Sequence, residues 1–145
     1  LTDEEAARIM AVFNGDMVAS SDLKASDLYC MTVDGVQNIV SDAALAAGAR
    51  LGNSSLLPGT FGSSDHVPFH MRGIPAAMFI WMWVGSWVPL EYYIELVYHT
   101  PQDTIAENIS LDRLQTALDI VGAAVFDVTR KEVPALTESA IRRDE

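Results

Sequence analysis

The stretch "IPAAMFIWMW", residues 74–83, decides the fold. It is apolar without alternation, so neither face of an extended segment is reserved for water, and a strand buried on both faces is predicted at the centre of a sheet. Followed on to Leu90 the run reads "IPAAMFIWMWVGSWVPL". Gly85, Ser86 and two prolines interrupt it, which makes a poor membrane-spanning helix and a good strand followed by a loop.

Working outward, "DLYCMTV" at 27–33 has the same two-face character and is stopped by Asp34 and Gly35. Before it, "FNGDMVASS" at 13–21 is a short strand-like piece ending in small polar residues. Thr2 and Glu5 read as a capping box opening an amphipathic helix that carries Ala6, Ile9, Met10 and Phe13. Val36, Ile39, Val40, Ala43 and Ala47 form a second helical stripe, closed by Gly48 and Gly52. The loop "GNSSLLPGTFGSSDH" at 52–66 then runs into a short helix, "VPFHMRG", with Ser64 or Asp65 as its N-cap. After Ser110, Leu111, Leu114, Leu118, Val121, Val125 and Val128 alternate in steps of three and four, a long helix with one core face. The order of elements predicts an α/β fold with helices covering a sheet. Residues 1–130 are read as part of one domain and 131–145 as a polar C-terminal tail.

A chain of 145 residues with 50% hydrophobic residues has enough apolar surface for one packed core. Its formal charge of −11 repels phosphate backbones and anionic lipid, so nucleic-acid and membrane partners are not expected. The single cysteine, Cys30, excludes an internal disulfide framework and a Cys-rich zinc ribbon, and its apolar neighbours predict a buried, inert thiol. The chain opens "LTDEEAARIM", folded-looking sequence without a signal-peptide pattern.

Polar residues at the ends of apolar strands are the places to look for chemistry in an α/β sheet. Three qualify: Asp16 in "FNGDMVAS", Asp65 with His66 in "SSDHVPF", and Tyr98 with His99 after "IELV". Each alone reads equally as a cap, a turn or a satisfied core residue. His99 by itself stays open between core histidine, metal ligand and catalytic base.

Taken together, "NGDMVAS", "GSSDHVPFHMRGIPAAMF" and "YHTPQDTIAENIS" resemble the successive signatures of the di-zinc aminopeptidase family of the aminopeptidase S and aminopeptidase Y type. The resemblance covers about residues 10–125. It departs from the family at Gly15, where an aromatic is usual, and at Ala19, where a glycine is usual.

The resemblance implies a three-layer α/β/α zinc-peptidase fold with a mixed central sheet. It implies a co-catalytic centre of two zinc ions that hydrolyses N-terminal residues from a peptide substrate. Asp16 would be a carboxylate ligand of one zinc and His99 an imidazole ligand of the other. Tyr98 would be the catalytic donor to the developing oxyanion. Asp103 would fix the His99 tautomer, and Asp65 and His66 would shape the floor and loop of the site.

The family draws a histidine, a bridging aspartate, a glutamate ligand and a glutamate base from sequence ahead of the "NGDMV" strand, and 15 residues precede Asp16 here. His70, on the same predicted helix as His66, does not replace that histidine. The expectation is therefore a C-terminal half, with the N-terminal half absent, catalytically incomplete on its own and prone to self-association through an exposed sheet edge. The alternative is a non-catalytic peptidase-like scaffold used as a binding or assembly module. The run "WMWVGSWVPLEYY" is read either as an aromatic wall of the specificity pocket or as ordinary core and lid packing. An extracellular or cell-envelope location follows only by analogy with relatives.

Overall fold

The computed structural model describes residues 1–53 and 55–130, so the tail predicted for 131–145 lies outside the described residues. The elements in chain order are α1 (Asp3–Ala6), β1 (Val12–Gly15), β2 (Asp27–Thr32), α2 (Ile39–Arg50), β3 (Leu56–Thr60), α3 (Val67–His70), β4 (Ala76–Trp87), β5 (Leu90–Tyr93), α4 (Ile105–Asn108) and α5 (Leu111–Thr129). The strands make one mixed sheet in the order β1-β4-β2-β3, with β5 paired to the far end of β4. β4 runs parallel to β1 and antiparallel to β2, while β2 and β3 are parallel.

β4 is the central strand that its unbroken apolar run predicts, and the alternation is hidden because both faces are covered. Ala77, Phe79 and Trp81 point with Leu28 and Cys30 of β2 into a core shared with Val40, Ala43, Ala44 and Ala47 of α2 and Ala117, Ile120, Ala124 and Val128 of α5. Met78, Ile80 and Met82 point the other way with Tyr29 and Met31, covered by Met17, Leu57, Phe61, Val84 and Ile94. Among the described residues both long helices therefore lie on one face of the sheet, and side chains from loops and from β3 and β4 close the other. Cys30 is buried, and burial pushes its thiol pKa up to about 12, so it is inert as expected.

Several elements differ from the sequence expectation. The Thr2 and Glu5 capping box forms, but α1 ends at Ala6 and Phe13 belongs to β1, where it stacks on Phe79 with centroids 6.1 Å apart. The sheet claims Phe13 because pairing with β4 and contact with Phe79 outweigh a helical spacing that only a few residues support. Inside the predicted long loop, Leu56–Thr60 pairs with β2 as β3. Pro58 hid it, yet β3 closes the sheet order, and an edge is where a strand tolerates proline. β4 runs on to Trp87 and returns as β5 where a loop was expected.

The helices are corrected in detail too. Val36 precedes α2, whose cap is Asn38, accepting from the Val40 and Ser41 amides. Gly48 lies within α2, where an added Cβ would stand 3.2 Å from Leu56 Cδ2, so glycine lets the helix approach β3 closely. Gly52, at φ +70°, is the residue that turns the chain out of the helix. α5 begins at the Ser110 cap as predicted but buries its alanines against those of α2, leaving Leu111, Leu118 and Val125 exposed. Small residues win that face because they allow two helices to pack closely on each other.

Candidate metal and active site

Asp16 is the first residue beyond β1. Its amide still donates to Phe79 O at 2.9 Å, so the central strand fixes where its carboxylate leaves the sheet. Met17, at φ +58°, then turns the chain away, and Trp81 Nε1 donates to Val18 O at 3.0 Å to hold the turn down. The half-buried Asp16 carboxylate accepts at Oδ2 from Ser64 Oγ at 2.8 Å, and Ser64 Oγ itself accepts from Asn14 Nδ2 at 2.9 Å. Ser64 is thus a neighbour of Asp16 and not the N-cap of α3; His66 occupies the cap position, and its side chain makes no capping bond.

Asp65 is exposed, whereas His66 is fully buried. His66 Nε2 pairs with Phe61 O at 2.9 Å, which places the ring proton on Nε2, and Nδ1 has no partner among the described residues. Burial pulls the His66 pKa below its ordinary value, against the opposing pull of the Phe61 carbonyl and the Asp16 and Asp65 charges. The ring is therefore neutral and staples residue 61 to residue 66. His70 faces elsewhere, with Nε2 4.0 Å from Asp34 Oδ2.

Tyr98 and His99 sit in an exposed turn after β5, their rings stacked 3.8 Å apart. His99 has φ +57°. Met17, Ser64 (φ +131°) and His99 are the three non-glycine residues with positive φ among the described residues, and each is one of the candidate residues or touches one. Such backbone conformations are costly for L side chains and gather at functional sites. Asp103 donates its amide to Thr100 O at 3.1 Å, but no hydrogen bond or ion pair joins its carboxylate to His99. It lies in the exposed turn beyond Pro101.

Asp22 is a carboxylate with long-range partners that the sequence does not single out. Asp22 Oδ2 accepts a short hydrogen bond from Tyr93 OH and another from Leu96 N at 3.2 Å. The Tyr93 bond holds the Asp22 carboxyl below the ordinary range, and the same bond raises the Tyr93 phenol. In "SSDLK" Asp22 reads as an ordinary turn residue, whose side chain does accept from Lys24 N at 2.9 Å; nothing local announces its partners some 70 positions on.

Asp16 and His99 carry suitable hard-oxygen and imidazole donors for zinc. Among the described residues, however, no three His, Cys, Asp or Glu side chains converge as a metal-holding group. The described residues thus offer donors of the right kind but not a whole site.

The family model for peptidase family M28 matches residues 2–125. The chain belongs to that family. It is 46% identical to aminopeptidase YwaD of Bacillus subtilis (strain 168) over 132 residues, which is 91% of this chain and 28% of the relative. Its fold superposes on a zinc aminopeptidase from Bacillus subtilis with a TM-score of 0.80 and 43% identity, over 99% of this chain and 33% of that one. An aminopeptidase from Aneurinibacillus sp. strain AM-1 follows at TM-score 0.71 and 42% identity, over 88% of this chain and 28% of that one. The M28 chain therefore spans about a third or less of the length of these relatives, and the mixed α/β architecture is the one they have.

Proposed function

We propose that this M28 chain is part of a zinc aminopeptidase domain that releases N-terminal residues from peptides. The observation that carries the reading is the 46% identity to an aminopeptidase across 91% of the chain. In this reading Asp16 and His99 are ligands of two different zinc ions, and the remaining ligands and the general base come from parts of the protein outside these residues. Zinc supplies Lewis acidity and a water of lowered pKa.

The chain's own residues do the rest. Ser64 ties one oxygen of Asp16 and leaves the other for metal. Tyr98 offers an exposed phenol as a hydrogen-bond donor to a developing oxyanion. His66 holds the loop that carries Ser64, and Asp65 and Asp103 edge the site. The aromatic hairpin of β4 and β5, where Tyr92 packs edge-on against Phe61, borders the peptide.

The test is full-length protein assayed on aminoacyl-p-nitroanilides with and without zinc. Asp16→Ala and His99→Ala should each lose zinc and nearly all turnover, and Tyr98→Phe should keep zinc and lose roughly 100- to 1000-fold in kcat. The 145 residues alone should be inactive, because the described ones bring no third ligand together. A His99→Ala protein with full zinc, measured by emission spectroscopy, would remove His99 from the site; a zinc-free, inactive full-length protein would point to a non-catalytic scaffold.

A further inference from the structure

Among the described residues, the turn that carries Tyr98 and His99 has one hydrogen-bonded tether to the body of the protein. Within it, Tyr98 N reaches Glu95 O at 3.5 Å, Thr100 N reaches Val97 O at 2.9 Å, and Asp103 N reaches Thr100 O at 3.1 Å. Among the described residues the only hydrogen bond from 94–100 to a residue outside this turn is Leu96 N to Asp22 Oδ2. The same oxygen accepts from Tyr93 OH at the end of β5, so a single carboxylate grips both the strand that enters the turn and the turn itself.

Asp22 is in turn held from below. Arg113 of α5 donates from Nη1 to Asp22 O at 2.7 Å and to Ser20 O at 2.9 Å, with its guanidinium carbon 4.8 Å from the Trp81 ring centroid. Lys24 lies 4.1 Å from the Tyr93 ring centroid and closes the outer side. Asp22 also stands in the segment that leaves Asp16, six residues further on. The long helix and the central strand thus fix Asp22, and Asp22 fixes the turn.

We propose that Asp22 is a positioning residue of the peptidase site: through Tyr93 and Leu96 it sets where Tyr98 and His99 stand relative to Asp16. This rests on the reading of those three as site residues. The chemistry favours a carboxylate, because three donors, Tyr93 OH, Leu96 N and Lys24 N, share two acceptor oxygens. An amide in its place has one acceptor oxygen and must leave a donor unpaired.

The test compares full-length wild type, Asp22→Asn and Tyr93→Phe, with Arg50→Ala as a control that breaks a remote ion pair to Asp127. The measurements are kcat, KM, melting temperature and amide exchange across 94–100. Displacing catalytic groups by a fraction of an ångström to an ångström costs up to about 100-fold, so Asp22→Asn should lose roughly 10- to 100-fold in kcat with KM nearly unchanged. Exchange across 94–100 should speed up, Tyr93→Phe should shift both readouts the same way by less, and Arg50→Ala should shift neither. Faster exchange at Leu96 with wild-type kcat would overturn the inference alone. So would a kcat loss that disappears in an assay well below every variant's melting temperature, since that marks general destabilisation. An inactive, zinc-free wild type would overturn the peptidase reading and the inference with it.

Discussion

Ser64 donates its hydroxyl hydrogen to Asp16 Oδ2 across 2.8 Å from a backbone at φ +131°. Asn14 Nδ2, itself on β1, donates to the same hydroxyl, so the direction of the Ser64 proton is set by the strand that also presents Asp16. A strained residue is held where its one polar atom meets a carboxylate. Partners that orient a ligating carboxylate typically carry about 10- to 100-fold in metal affinity. Ser64→Ala in the full-length protein should weaken zinc binding by that order while leaving the fold intact. Competition with a chromogenic chelator reads the effect; unchanged affinity would make the Ser64 bond a loop tie and nothing more.

His66 makes folding pH-dependent in a stated direction. Its folded pKa lies below the ordinary 6.5 because the ring is buried, while the unfolded chain takes up a proton near that value. The stability that neutral His66 confers is present above about pH 6.5 and is lost as pH falls through the folded value. Urea midpoints should therefore drop between about pH 7 and about pH 5. His66→Gln should be less stable near neutrality and show a shallower drop; an equal slope in both proteins would assign the pH dependence to other groups.

The sheet was legible where apolar runs were long. β4 and β2 bury both faces, and continuous apolar runs bounded by turn residues favour such central strands. β3 was not legible, because Pro58 and two glycine-rich flanks mask a strand whose pairing is decided by β2 and not by its own residues. The face of α5 was misread for a related reason: Leu outranks Ala in hydrophobicity, but the partner surface is the alanine row of α2, and close helix contact selects Ala117 and Ala124. For the proposed site, motif order points to Asp16, Tyr98 and His99, and the structure puts them at chain bends whose backbone is left-handed at Met17 and His99. Asp22 and Ser64 were invisible in that role because each acts through a bond to a residue 48 or more positions away.

Phe79 carries much of the core that positions Asp16. It is fully buried, stacks on Phe13 and pairs in register with Cys30, and its carbonyl accepts the Asp16 amide. Phe79→Ala should cost about 3–5 kcal/mol. Val88, 89% exposed beyond the end of β4, should cost within about 0.5 kcal/mol when changed to Ala. Denaturant midpoints followed by tryptophan fluorescence compare them; a loss below about 1 kcal/mol at Phe79 would mean that the core collapses around the gap.

The 145-residue chain should self-associate when purified by itself, and the surface to watch is α5. The sheet edges β1 and β3 are only four and five residues long, and β3 carries Pro58, so they are poor templates for pairing. α5 instead exposes Leu111 (74%), Leu118 (56%) and Phe126 (57%), with Val125 beside them. Leu111, Leu118 and Val125 recur every seven residues and so line one side of the helix, opposite in role to the alanines that meet α2. Contiguous exposed apolar side chains of this kind favour association, which the net charge of −11 opposes only through a repulsion that salt screens. Light scattering coupled to size exclusion should show species heavier than the 15.8 kDa monomer, increasing with salt, and a Leu118→Glu, Phe126→Glu double variant should return toward the monomer. A wild-type monomer at high protein and salt concentration would show that α5 tolerates water across this face and that the helix needs no covering partner.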